Sequence, residues 1–318
     1  MKILITGITG FAGSHLAEYC LKMGAEVHGT IRWRSKRDSI SHIEKNLILH
    51  NCDLGDPSNV SNLLKNDFDW IFHLAAQSHV PTSWDAPTET MRNNILCQVN
   101  IFQEMVNICA TNTKIMIAGS SEEYGLVHPN EIPINENNPL RPLSPYGVSK
   151  VAQDLLGQQY FHSYGLKIFI SRAFNHSGPR RPDYFVCGKI AKQAAEIRTG
   201  KREGFELGDT SSVRDFTDVR DMVRAYWMML DSGNIEAGTP YNISSGWGIK
   251  IDDLVEMASR IIGIKGHIMR DPDHLRPSDV PILIGDSTKF REATGWEPEI
   301  HIQNTMKDMI AYWENNGK

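Results

Sequence analysis

The chain has 318 residues, 41% apolar and 22% charged. That is ordinary globular usage, and enough for two domains or one large α/β unit with an added lobe. It excludes a disordered or collagen-like chain, and a net charge of −5 is a poor footprint for nucleic acid or an anionic membrane.

Apolar strands alternate with helical patterns through the first half. Lys2 to Thr6 reads as a strand and Phe11 to Met23 as a helix stopped by Gly24. Strands follow at Glu26–Ile31 and Leu47–His50, then a helix through Val60, Leu63 and Leu64. Trp70 to Ala75 reads as a buried strand, Thr88 to Ala110 as a long helix, and Lys114–Ala118 as a strand. Pro145 to Tyr164 is helical and Lys167–Ser171 a strand. This alternation predicts βαβ units, hence a doubly wound parallel sheet covered on both faces. After Arg172 the pattern loosens. Asn175–Asp183 and Gly204–Val213 read as loops, Val219–Leu230 and Asp252–Ile262 as helices, and a short helix lies near the end. The expected division is residues 1–172 as the sheet domain and 173–318 as a smaller α/β lobe, partly interleaved with it.

Five scattered cysteines contain no CxxC pair, so inert thiols in a reducing compartment are expected rather than disulfides or zinc. The histidines, His73 and His176 among them, show no metal spacing. No apolar run reaches the ~18 residues of a membrane span. The opening MKILITG lacks the apolar region of a signal peptide. A soluble, cytoplasmic protein is expected.

Gly7, Gly10 and Gly13 lie between the first strand and the first helix. Glycine permits the turn, and the helix N-terminus offers free N–H groups to a pyrophosphate. The spacing GxxGxxG differs from GxGxxG, and a plain strand-to-helix turn competes. The second strand ends in Arg32, Trp33 and Arg34, with no carboxylate. Arginine there suits a 2′-phosphate, hence NADP, with NAD as the alternative; a solvated basic turn competes. Asp53 reaches toward an adenine or caps a helix, a role open also to Asp56.

Tyr146 and Lys150 stand four apart on a helix and share a face. A tyrosine alone is a poor base at neutral pH; a nearby ammonium stabilises its phenolate. Such a pair can exchange the proton of a sugar hydroxyl while hydride moves at carbon. Ser120 follows a buried strand, where active-site groups of open α/β sheets gather. Glu122 could serve as base and acid in turn for a loss of water, or form with Glu123 a solvated loop pair.

Taken together, GITGFAG, DLGD, HLAAQSHV, GSSEEYG, SPYGVSK, FNHSGPRR, VRDFTDVRD, RPSDV and TGWEPEI resemble the extended short-chain dehydrogenase/reductases that act on nucleotide sugars. The resemblance runs nearly the whole length. It implies a Rossmann-type NAD(P) domain and a C-terminal nucleotide-sugar lobe. It implies Ser120, Glu122, Tyr146 and Lys150 as catalytic residues. The cofactor would meet Gly7, Thr9, Gly10, Phe11, Ala12, Gly13, Arg32, Arg34, Asp53, Leu54, Leu74, Ala75, Ala76 and Gln77, besides Tyr146 and Lys150. The diphosphate sugar would meet Ser121, Asn175, Lys189, Arg214 and Arg276, although any one of these charges, taken singly, also suits a plain surface role. Two branches are similar: 4,6-dehydratases of GDP-mannose and reductases of the 4-keto-6-deoxy product. GDP-heptoses are alternative substrates. A homodimer or homotetramer is expected, with no nucleic-acid or membrane partner and no metal. A non-catalytic dinucleotide sensor on the same fold is disfavoured by the intact Ser120, Tyr146 and Lys150.

Overall fold

The structure, a computed structural model, describes residues 1–264, 267–270 and 280–316. The chain begins with β1 (Lys2–Thr6), α1 (Phe11–Lys22), β2 (Glu26–Ile31), β3 (Leu47–Asn51), α2 (Pro57–Leu64) and β4 (Trp70–His73). It continues through α3 (Val80–Asp85), α4 (Pro87–Met91), α5 (Cys97–Asn107), β5 (Lys114–Ala118), α6 (Pro145–Tyr164) and β6 (Lys167–Ala173). Then come β7 (Asn175–Ser177), α7 (Val186–Arg198), β8 (Phe205–Leu207), β9 (Val213–Asp218), α8 (Val219–Asp231) and β10 (Pro240–Ile243). The last elements are β11 (Gly248–Lys250), α9 (Ile251–Ile262), β12 (Ile268–Arg270), β13 (Ile282–Leu283), α10 (Thr288–Thr294) and α11 (Ile302–Asn316).

Seven strands form one parallel sheet in the order β10-β6-β5-β4-β1-β2-β3. Strand side chains alternate between faces. Ile3 and Ile5 therefore enter the core beneath α1 and α8, while Leu4 enters the core beneath α2 and α5. Burial on both faces is why β1 reads as an unbroken apolar run. From β1 the chain winds outward to β2 and β3, then crosses back to β4 and on to β5 and β6. The order reverses between β1 and β4, and a crevice opens beyond their carboxyl ends.

The second half has its own core, built from α7, α9 and α11 around Phe205 and Phe216. A small sheet orders β11-β9-β13, with β7 also on β9, and β12 pairs with β8. Two elements return to the large sheet: β10 extends it beside β6, and α8 packs on α1. Among the described residues, no helix is long and apolar enough to cross a membrane.

Several expected elements differ. The long helix from Thr88 is α4, one wide π turn at Arg92–Leu96, and α5; a single wide turn is too short for the apolar period to register. The expected loops at 175–183 and 204–213 contain β7 and β8, whose three residues are too few for a period to register. Helix α7 had no expectation. Five of its eight buried residues are small (Cys187, Gly188, Ala191, Ala194 and Ala195), with Ile190 and Ile197 the larger apolar side chains. The terminal helix is 15 residues, not short, and the strand from Trp70 stops at His73.

Candidate active site

The first wall of the crevice is the glycine turn. Gly7 has φ +69°, a backbone state that costs other residues. A Cβ on Gly13 would lie 2.3 Å from the Gly7 carbonyl oxygen. The loop is thus folded onto itself, and α1 starts at Gly10 without a side-chain cap. Its first N–H groups are left for a ligand, and the helix end adds roughly half a positive charge. These residues fit a dinucleotide diphosphate. Gly13→Ala is expected to destabilise the fold by the ~1–3 kcal/mol of an overpacked site, so that the melting temperature falls, and to abolish the further rise that added NADP gives the native chain. Thermal melts with and without NADP check this; an unchanged melt and an unchanged NADP response would contradict it.

The neighbouring wall is fixed through Thr6 at the end of β1. Its hydroxyl oxygen accepts the N–H groups of Leu74 and Ala75, both at 3.1 Å. Its own proton is therefore left for His73 Nδ1, 2.9 Å away. His73 is buried, and burial drops its pKa to about 3, so it stays neutral. The π turn adds a second tether. Asn94 Oδ1 accepts the Gln77 N–H at 2.8 Å, and its amide donates to Gln77 O and Ser149 Oγ. Buried and fully bonded amides hold a loop in one place.

The chemistry-bearing residues come from β5 and α6. Ser144 caps α6 by accepting the Gly147 N–H at 3.0 Å, and Pro145 opens the helix. Tyr146 then falls in the first turn and Lys150 one turn on. The ammonium of Lys150 lies 5.7 Å from the Tyr146 ring centre and donates to Ala118 O at 2.8 Å. The Ser120 and Tyr146 side chains line the same cavity. Burial pushes the Tyr146 phenol up, opposed by the Ser120 hydroxyl and the Arg181 guanidinium. Burial lowers Lys150 to about 8, opposed by Glu123.

One cavity of about 570 Å³ collects most of the expected residues. On the glycine-loop side it is lined by Gly7, Thr9, Gly10, Phe11, Ala12, Gly13, Arg32, Asp53, Leu54, Leu74, Ala75, Ala76 and Gln77. Toward the second half it meets Ser120, Glu122, Tyr146, Lys150, Asn175 and Arg214. The helix-capping role falls to Asp56, which accepts the Ser58 N–H at 2.8 Å; Asp53 is left at the cavity. Three expected residues stand off the lining. Arg34 stacks on the exposed Trp33 ring, 4.5 Å from its centre. Ser121 is buried in the turn after β5, and Lys189, on α7, is not among the lining residues. Arg276 lies outside the described residues. Glu123 is not half of a solvated pair: it is fully buried.

Sequence reasoning missed Arg181. Its guanidinium lies 3.6 Å from the Phe185 ring centre and 4.8 Å from that of Phe11, and it lines the cavity. Burial lowers it to about 10. The tandem arginines of FNHSGPRR were the signal, but a doubled arginine does not say which copy turns inward. Arg180 instead pairs with Glu18 on α1.

A doubly wound sheet, a glycine turn at its switch point and a Ser–Tyr–Lys group facing it define an extended short-chain dehydrogenase/reductase. A family model described as GDP-mannose 4,6 dehydratase matches residues 4–309, and the chain belongs to that family. It is 34% identical to a GDP-mannose 4,6-dehydratase of Yersinia enterocolitica over 350 residues, covering 98% of this chain and 93% of the relative. It is 32% identical to a GDP-6-deoxy-D-mannose reductase of Pseudomonas aeruginosa over 315 residues, covering 99% and 97%. Among solved structures, RMD from Pseudomonas aeruginosa complexed with NADPH has a TM-score of 0.85 at 30% identity, covering 99% of each chain. A UDP-glucose 4-epimerase of Thermotoga maritima with UDP-glucose has a TM-score of 0.89 at 27% identity, covering 100% of each.

Proposed function

We propose that the protein is a GDP-mannose 4,6-dehydratase that uses NADP, with NAD as the alternative. The observation that carries this reading is Glu122, a carboxylate lining the same cavity as Ser120, Tyr146 and Lys150. Family membership and the dehydratase relatives support the substrate. Arg32 at the end of β2, with no carboxylate beside it, supports the 2′-phosphate.

The glycine turn and the N-terminus of α1 would hold the diphosphate of the dinucleotide, and Arg32 its ribose phosphate. When bound, the cofactor supplies a hydride acceptor and donor. Tyr146 takes the proton of the sugar 4-hydroxyl, and Ser120 holds that oxygen in line. Lys150 keeps positive charge beside the phenolate. Glu122 removes the C5 proton, now acidic beside the 4-ketone, and protonates the departing 6-hydroxyl, so water leaves and the carboxylate is regenerated. Arg214 and Asn175 would meet the diphosphate sugar.

A second reading, reduction of the 4-keto-6-deoxy sugar, is favoured by one observation. The alignment to the reductase runs 315 positions against this 318-residue chain, so the reductase carries almost no insertion relative to it. That to the dehydratase runs 350, so the dehydratase carries insertions absent here. A paired assay decides. Loss of one water from GDP-mannose with catalytic NADP supports the dehydratase. Stoichiometric NADPH consumption with the 4-keto product alone supports the reductase.

Either reading needs Lys150 charged. As pH rises through about 8, the free enzyme loses that charge. kcat/KM is expected to fall there, approaching about tenfold per pH unit. A profile flat through the alkaline range would contradict this.

A further inference from the structure

Behind Ser120 lies a buried polar cluster that the proposed chemistry does not use. Glu123, Asp154 and Arg172 are each buried, Glu123 and Asp154 completely. Glu123 Oε1 accepts the Ser120 N–H at 2.7 Å, and Ser120 Oγ accepts the Glu122 N–H at 3.2 Å. The two bonds close a capping box that sets the turn carrying Ser120. Arg172 gives its Nε–H to Asp154 Oδ2 at 2.7 Å and its Nη1 protons to Tyr124 Oη and Glu136 O. Asp154 Oδ1 accepts from Gln158 at 2.5 Å.

The charges do not balance within this cluster: two carboxyl groups face one guanidinium. Arg172 Nε is 3.5 Å from Glu123 Oε2 but already bonded to Asp154. Lys150, whose charge also feels Glu123, donates to Ala118 and, among the described residues, forms no ion pair with either carboxyl. As a carboxylate, Glu123 leaves Oε2 buried without a hydrogen-bond partner, although it and the Asp154 carboxyl converge on the same Arg172 Nε. A buried unpaired charge is expensive. One proton on Oε2, donated to Asp154, removes both faults.

We propose that Glu123 is a positioning residue for the Ser120–Tyr146–Lys150 group, held as a neutral carboxylic acid that shares one proton with Asp154. The proposal rests on the reading that this group performs the proton transfer. Burial first, and then Asp154, raises Glu123 well above the ordinary carboxylate range, in agreement. The consequence is electrostatic. An ionised Glu123 would raise Tyr146 and Lys150 alike, as its field on both shows. A neutral one grips the Ser120 backbone without working against the phenolate. Tyr124, also on the cluster, is pushed up by burial and is neutral. Glu122 on the same turn lines the cavity and its charge also raises Tyr146.

Two variants and a spectrum test this. Glu123→Gln reproduces the neutral acid, accepting from Ser120 and donating to Asp154. Glu123→Ala removes the acceptor. With whichever sugar nucleotide is turned over, E123A is expected to lose up to about 10²-fold in kcat through misplacement of Ser120, with KM moving far less. E123Q is expected to recover at least about tenfold of that loss, with the pH profile of kcat/KM in place. The native protein should show an infrared carboxylic-acid C=O band that shifts in D2O and is missing from E123Q. That band is read without turnover, so it stands or falls apart from the proposed activity. No such band, a profile of E123Q displaced to lower pH, or full activity in E123A would each overturn the proposal.

Discussion

Tyr146→Phe is expected to lower kcat by about 10²–10⁴-fold, the usual contribution of a positioned acid–base group. That is about 3–5 kcal/mol of transition-state stabilisation. The ring is retained, so its burial at the first turn of α6 and its place 5.7 Å from the Lys150 ammonium are kept. NADP affinity should therefore stay within a few-fold of native. Single-turnover rates beside a dinucleotide titration separate the two quantities. A kcat within a few-fold of native would show that Tyr146 is not the proton carrier.

Glu122→Gln separates the two readings of the site. If the carboxylate drives the loss of water, the amide can neither take the C5 proton nor give one to the 6-hydroxyl. Elimination is then expected to slow by about 10²–10⁴-fold, while oxidation at C4, which needs Tyr146, Ser120 and Lys150, continues. The 4-keto hexose should accumulate on the enzyme, visible by rapid quench and mass spectrometry. If the protein is a reductase, E122Q should reduce the 4-keto-6-deoxy sugar at nearly the native rate, because a ketone reduction asks only Tyr146 for a proton.

The large sheet and the site on it were legible for one physical reason. Each piece is local. A glycine turn directly after β1, a Tyr and a Lys one turn apart, and a serine at the end of β5 announce themselves in a few residues. Parallel strands buried on both faces read as plain apolar runs. What was not legible depends on contacts made across the fold. The small-residue face of α7 carries little hydrophobic signal, and three-residue strands carry none. Arg181 becomes a cavity residue only because Phe185 and Phe11 close on it. Glu123 reads as a solvated loop residue until Arg172 and Asp154, distant in sequence, come to meet it. The basic turn after β2 held two arginines, and only the packing against Trp33 distinguishes outward Arg34 from Arg32.

The most direct test of the proposed dehydratase follows one hydrogen atom. GDP-mannose deuterated at C4 is incubated with the enzyme and catalytic NADP, and the product is examined by mass spectrometry and NMR. The expected product has lost one water and carries the deuterium at C6, because hydride leaves and returns within one turnover. Unchanged GDP-mannose, together with stoichiometric NADPH consumption on the 4-keto-6-deoxy sugar, would contradict it and make the protein the reductase.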